Sequence, residues 1–235
     1  LTDIVLIIIA AVLAITLHEA AHGYAAWALG DDTARRMGRL SLNPLRHVDR
    51  VGTVLLPGFL LISQWLTIGH VAFMFGWAKP VPVAAWRFPN PRRGMMIVAA
   101  AGPAMNFLLA WLGALTLHAV PYLPAGEGDL LDNFVGYFVG YNLILGLFNL
   151  LPIPPLDGGR IVVGLLPEAA AREYAKLERA GIAVVLLALF LLPALMRDVF
   201  HVEFDPVRNG LEAVLPHAIA LVEWLAGLGP DTANV

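Results

Sequence analysis

The chain has 235 residues, of which 59% are hydrophobic and only 14% charged, with a mean hydropathy of +0.73. A soluble domain carries about one quarter charged residues, so this composition points to an all-α polytopic membrane protein. Cysteine is absent, which excludes disulfides and thiolate metal ligands; the formal net charge of -3 favours no class of partner beyond the bilayer, and no nucleic-acid partner is expected.

The first apolar segment runs from Ile4 to Leu29. It is longer than the roughly 20 residues that cross a bilayer, and it lacks the basic start and small-residue cleavage site of a signal peptide, so it reads as a retained span. Inside it lies His18-Glu19-Ala20-Ala21-His22. Spacing of four residues on a helix puts two imidazoles on one face, where they can share a metal ion while the intervening carboxylate handles protons. Ionisable groups within an apolar span cost about 2.5–3.5 kcal/mol each on insertion scales, which marks them as functional candidates. Counted from Ile4, His18 sits roughly 21 Å along the helix, towards its end.

Further apolar segments run from Val51 to Ala78, Gly94 to Val120, Phe134 to Leu151 and Ala180 to Met196, with a weaker one from Leu211 to Leu228. The expectation is five to six transmembrane helices. Asp31 to Arg50 holds five arginines, and Lys79 to Arg93 holds Lys79, Arg87, Arg92 and Arg93 with no acid, so both loops read as cytoplasmic. Pro121 to Asn133 has only acids and reads as external. Val51 to Ala78 therefore has two cytoplasmic flanks. It is expected to dip in and return through a short β-like or re-entrant stretch; the alternative is an ordinary span that breaks the charge rule. The mixed charges from Glu168 to Arg179 read as a solvated amphipathic helix. The organisation expected is a core over 1–166, then an amphipathic linker with one or two further membrane helices over 167–235.

A catalytic zinc takes three protein ligands and leaves one position open, so a third ligand must come from elsewhere. Asp157 is the best candidate: it follows the Phe134 to Leu151 span and returns to the face where His22 lies. From spacing alone it is equally readable as a turn residue before Gly158-Gly159. Asn149 can donate to a developing oxyanion or join two helices, and Asn106 has the same two readings with packing favoured. His47, His70, His118, His201 and His217 lack paired spacing and read as interfacial, His70 approaching the site only if its segment re-enters.

At these motifs the chain resembles the site-2 proteases, intramembrane zinc metalloproteases. The resemblance runs from Ala14 to about Gly164 and rests on His18 to His22 in a membrane span, Gly102-Pro103-Ala104-Met105-Asn106, and Asn149-Leu150-Leu151-Pro152-Ile153-Pro154-Pro155-Leu156-Asp157-Gly158-Gly159. Gly38 to Pro44 and Phe75 to Val83 look like the compact branch of the family, without a PDZ or CBS domain; the region after Gly164 matches least well. The resemblance implies one Zn2+ per chain on His18, His22 and Asp157, Glu19 as general base and acid, and Asn149 as a catalytic or substrate-holding amide. It also implies a transmembrane protein as substrate and a place in a prokaryotic plasma membrane, with the site towards the cytoplasm. Pro152, Pro154 and Pro155, with the strand-like Trp77 to Val83, are expected to border a wet groove that pairs with unwound substrate. The rival from another class is a membrane metal-ion transporter using the same His and Asp groups; it is disfavoured by the absence of a paired repeat.

Overall fold

In the computed structural model, residues 2–70, 76–124 and 126–229 are described. Ten α-helices are formed among them, with shorter 3-10 and π-helical pieces, and no strand. The first, α1 (Thr2–Ala28), is apolar throughout and carries Asp3 in its first turn, where the helix dipole favours a negative charge. A four-residue helix α2 (Thr33–Arg36) follows. Next come a π-helical turn (Arg50–Leu55), whose first N–H groups are capped by Asp49, and α3 (Leu56–Ile68), which stops at Gly69 in the left-handed conformation with φ 75°. Two long helices complete the centre: α4 (Pro91–Thr116), capped by Asn90 with Pro91 at its first position, and α5 (Glu127–Asn149).

Beyond a proline-rich turn lie α6 (Asp157–Leu165), α7 (Glu168–Ala175), α8 (Gly181–Leu186), α9 (Leu192–Asp198) and α10 (Pro206–Leu225), the last capped by Asp205. Helix α4 is the hub: it packs on α1, α5, α6 and α10, and α1 also packs on α5. Close approach is made possible by small residues. Ala10, Ala14, Ala110 and Ala114 are buried at the contacts, and a side chain at Gly113 would press on Phe138 at 3.0 Å. Large apolar side chains such as Ile4, Ile8, Leu108, Leu112 and Ile144 face outward instead, as suits a lipid environment.

The number of spans differs from the five to six expected. Three helical stretches are long and apolar enough to cross a bilayer: Thr2–Ala28, Pro91–Tyr122 and Glu127–Asn149. A fourth is available only if Glu168–Ala180 and Ala183–Asp198, bent by 80° at a break, count as one. The expected Ala180 to Met196 span is thus broken into short pieces with a π-helical stretch at Leu187–Leu191. Helix α10 carries Arg208, Glu212 and Glu223 along its length and is not among the three. The 13 residues of α3 measure about 20 Å, short of a hydrocarbon core of about 30 Å.

The β-like stretch is extended and no strand forms among the described residues: Trp77 N–H bonds to Gly52 O (3.1 Å) and Lys79 N–H to His47 O (2.8 Å). Any return path through 71–75, and Phe75 of the resembling stretch, lie outside the described residues. The Glu168 to Arg179 region is an exposed helical face, with Arg172–Glu168 and Lys176–Glu173 pairs, as its charge pattern suggests.

Candidate metal centre

His18 and His22 project from α1 towards α4 and the start of α6. Their Nε2 atoms lie 3.1 Å apart, and Asp157 Oδ2 is 3.2 Å from the first and 3.3 Å from the second. The far side of each ring is fixed. His18 Nδ1 is 2.6 Å from Asn106 Oδ1, and His22 Nδ1 is 2.7 Å from Val98 O. Both of those oxygens can only accept, so Nδ1 carries the proton in each ring and a neutral imidazole presents a bare lone pair at Nε2. Three acceptors then converge, and Asp157 Oδ2 is buried without a hydrogen-bond partner among the described residues.

That constellation is unfavourable unless a cation sits among the three atoms. Zinc–ligand bonds of about 2.0–2.1 Å at tetrahedral angles separate ligand atoms by about 3.3 Å, which agrees with the spacing here. The donor set, two imidazoles and one carboxylate without thiolate, suits zinc equally well.

The local sequence explains how these groups come so close. A Cβ on Gly102 would lie 2.5 Å from His22 Nε2 and 2.6 Å from His18 Cε1, so α4 can approach the rings only with glycine there. Pro103 beside it removes the N–H that the Ala99 carbonyl would receive within the helix. Asp157 opens α6 after a turn containing the cis Pro154-Pro155 bond. Gly158 and Gly159 let this turn fold back onto the helix start, since side chains there would collide with the Leu150 and Leu151 carbonyls and the Pro154 backbone. Tyr174 Oη donates to Pro152 O at 2.5 Å, so one carbonyl expected to lie open along the groove is occupied.

Glu19, half-buried on α1, accepts the Val81 N–H at Oε2 (3.1 Å). Val81 belongs to the extended strap Trp77–Ala84, which is fastened at several points. Arg39 donates to Lys79 O at 2.8 Å and Pro80 O at 3.4 Å, and also to Arg46 O. At the far end Ala84 N–H bonds to Asp31 Oδ2 (2.6 Å). Burial raises the Asp31 pKa, but hydrogen bonds from the Thr33 hydroxyl and from the Ala84 and Thr33 N–H groups, with Arg87 nearby, outweigh it and hold the carboxyl below its ordinary value.

Asn149 sits apart from the cluster in hydrogen bonding: its amide donates to Leu145 O, one turn back, at 3.0 Å. His47 is buried in the Ser41–Asp49 loop with Nε2 donating to Ser41 O, His118 bonds to Ala226 O, and His70 and His201 are exposed. Asn142 was not singled out from sequence, yet it is fully buried and bonds to Asn106 at 2.9 Å. The available signal was a lone amide in an apolar span two turns before Asn149.

Comparison with known proteins places the chain in a family. The profile of Peptidase family M50 matches residues 125–193, which extends past Gly164 into the region of weakest resemblance. A Bacillus subtilis protein named "Putative zinc metalloprotease YwhC" is 40% identical over 191 residues, 80% of each chain. Proteins of the same description named Rip2 are 32% identical over 85% of this chain and 72% of the relative in Mycolicibacterium smegmatis, and 30% identical over 81% and 68% in Mycobacterium tuberculosis. No solved structure matches the chain. With helices fit to cross a bilayer and relatives of this kind, the chain belongs to Peptidase family M50, the site-2 protease family of zinc metalloproteases.

Proposed function

We propose that this protein cleaves peptide bonds within or next to transmembrane segments of other membrane proteins, using one zinc ion held by His18, His22 and Asp157. The observation that carries the reading is the meeting of three acceptor atoms, 3.1–3.3 Å apart, two of them on a helix fit to span the bilayer, with Glu19 on that same helix. Zinc in such a site supplies a Lewis acid for the scissile carbonyl and lowers the pKa of water towards 7.

The remaining work falls to the chain. Glu19 takes a proton from the attacking water and returns it to the leaving amine, so it serves as base and then acid. Its Oε2 is engaged by Val81 N–H, which orients the carboxylate and leaves Oε1 to exchange the proton. The second N–H of the Asn149 amide, beyond the one given to Leu145 O, is the donor assigned to the substrate oxyanion or backbone. Unwound substrate lies in the groove bordered by the Trp77–Ala84 strap and the Pro152–Pro155 turn. An intact helix hides its carbonyls, so segments carrying Gly, Pro or Asn are the preferred substrates.

The arginine-rich loops support a site on the cytoplasmic side, and the bacterial relatives support a prokaryotic plasma membrane. Co-expression with single-span proteins, comparing wild type with Glu19→Gln, is the test. Glu19→Gln should keep about one zinc per chain and lose cleavage; cleavage that survives it would sink the assignment of the base. Zinc retained in full by Asp157→Ala would remove the third ligand.

A further inference from the structure

His22 and His18 are oriented by different means. His22 Nδ1 donates straight to a helix carbonyl, Val98 O, whereas His18 Nδ1 meets a side-chain amide that could in principle turn either face to it. The neighbours of that amide remove the choice. Phe138 O on α5 only accepts, so Asn142 must direct Nδ2 to it, at 2.8 Å. Asn142 Oδ1 then faces α4, and Asn106 must answer with Nδ2 at 2.9 Å, the same group lying 3.5 Å from Ala14 O. Asn106 Oδ1 is thereby left for His18, whose Nδ1 must carry a proton. Turning either amide over would bring like groups face to face. Both amides are 0% exposed, so water has no access to repair such a mismatch.

We propose that Asn142 and Asn106 are positioning residues that transmit the polarity of the Phe138 carbonyl across two helices and so fix the bare lone pair of His18 at Nε2, facing Asp157. Its consequence for zinc rests on the ligand reading above; the proton arrangement does not. Partners of this kind, behind a metal-bound histidine, typically change metal affinity about 10–100-fold when removed.

The test has two arms. In zinc-free wild-type protein in detergent, histidine 15N NMR, with the His18 signal assigned by His18→Gln, should show the proton on Nδ1. A bare Nδ1, with the proton on Nε2 alone, would overturn the relay whatever the metal does. Zn2+ affinity is then measured by chelator competition for two variants. Asn142→Leu removes the donor and acceptor at similar volume and should weaken binding about tenfold. Asn142→Asp, buried as the neutral acid, offers an O–H to Phe138 O and a C=O to Asn106, and should bind close to the wild-type value. Wild-type affinity in Asn142→Leu, or equal losses in both variants, would reduce Asn142 to packing. If Asn142→Leu does not fold, the wild-type spectrum and Asn142→Asp decide. Wild-type protein that binds no zinc would defeat the ligand reading and leave the spectrum to judge the relay.

Discussion

The centre of the bundle and the strap beside it hold their functional groups in opposite ways. Around His18 and His22 every orienting partner sits on another packed helix: Val98 and Asn106 on α4, Asn142 on α5, and Gly102 placed so tightly that no side chain fits. Around Glu19 the contact comes from irregular chain, Val81 N–H, and that chain is secured by the Arg39 guanidinium and the Asp31 carboxylate rather than by a helix face. Helix α3, which leads into this side, packs mainly on its own π-helical turn. The proposed metal ligands and the proposed base should therefore respond separately to mutation, the first through helix packing and the second through backbone clamps.

The largest expected effect is at the centre. Gly102→Ala puts a Cβ against both rings, and overpacking of that kind costs about 1–3 kcal/mol besides displacing the ligands. Zinc content by elemental analysis should fall well below one per chain and cleavage should vanish; an active, zinc-loaded Gly102→Ala protein would break the contrast from the metal side. Next, Arg39→Ala should keep zinc while lowering cleavage about tenfold, since a loosened strap no longer holds the carboxylate and general-base catalysis is worth about 10²–10⁴-fold in all. Equal losses of zinc and activity would show that the two regions are coupled after all.

A smaller effect is expected at Asp31. Its carboxyl titrates below the ordinary range in the folded chain, so the stability it contributes is present above the unfolded value of about 3.9 and is lost as pH falls through the lower folded value. Asp31→Asn should cost about 2 kcal/mol near neutral pH, typical of hydrogen bonds to a charged group, and flatten the acid limb of a pH–stability profile measured by thermal unfolding in detergent. An unchanged acid limb would assign that limb to other carboxylates. Smallest of all, Gly69→Ala strains a residue at φ 75°, at a cost of about 1 kcal/mol in stability, with zinc content and cleavage unchanged.

What could be read from sequence follows the same division. His18, Glu19 and His22 were visible because helical spacing fixes their geometry within one element, whereas the position of Asp157 after a span left a turn residue equally readable and the family resemblance made it the third ligand. The long spans α1, α4 and α5 announced themselves by hydropathy. Asn142 escaped because its importance lies in a partner on another helix, and one amide in an apolar run carries no spacing signal. The Val81 contact was equally hidden, since a backbone N–H has no letter in the sequence. Counting spans went astray in the π-helical stretch at Leu187–Leu191, a break that hydropathy cannot register, and at α10, whose charges leave its apolar run too weak to span.

The strap has one more property that follows from its composition. The N–H groups of Trp77, Lys79 and Val81 are all spent on the protein itself, while the alternate positions are Ala78, Pro80 and Pro82, two of which have no N–H to offer. An extended segment of this kind would ordinarily be a template for self-association, strand on strand, between neighbouring copies crowded in a bilayer. With one donor left in three positions, two such straps cannot zip together, so the prolines act as a safeguard against aggregation along that edge.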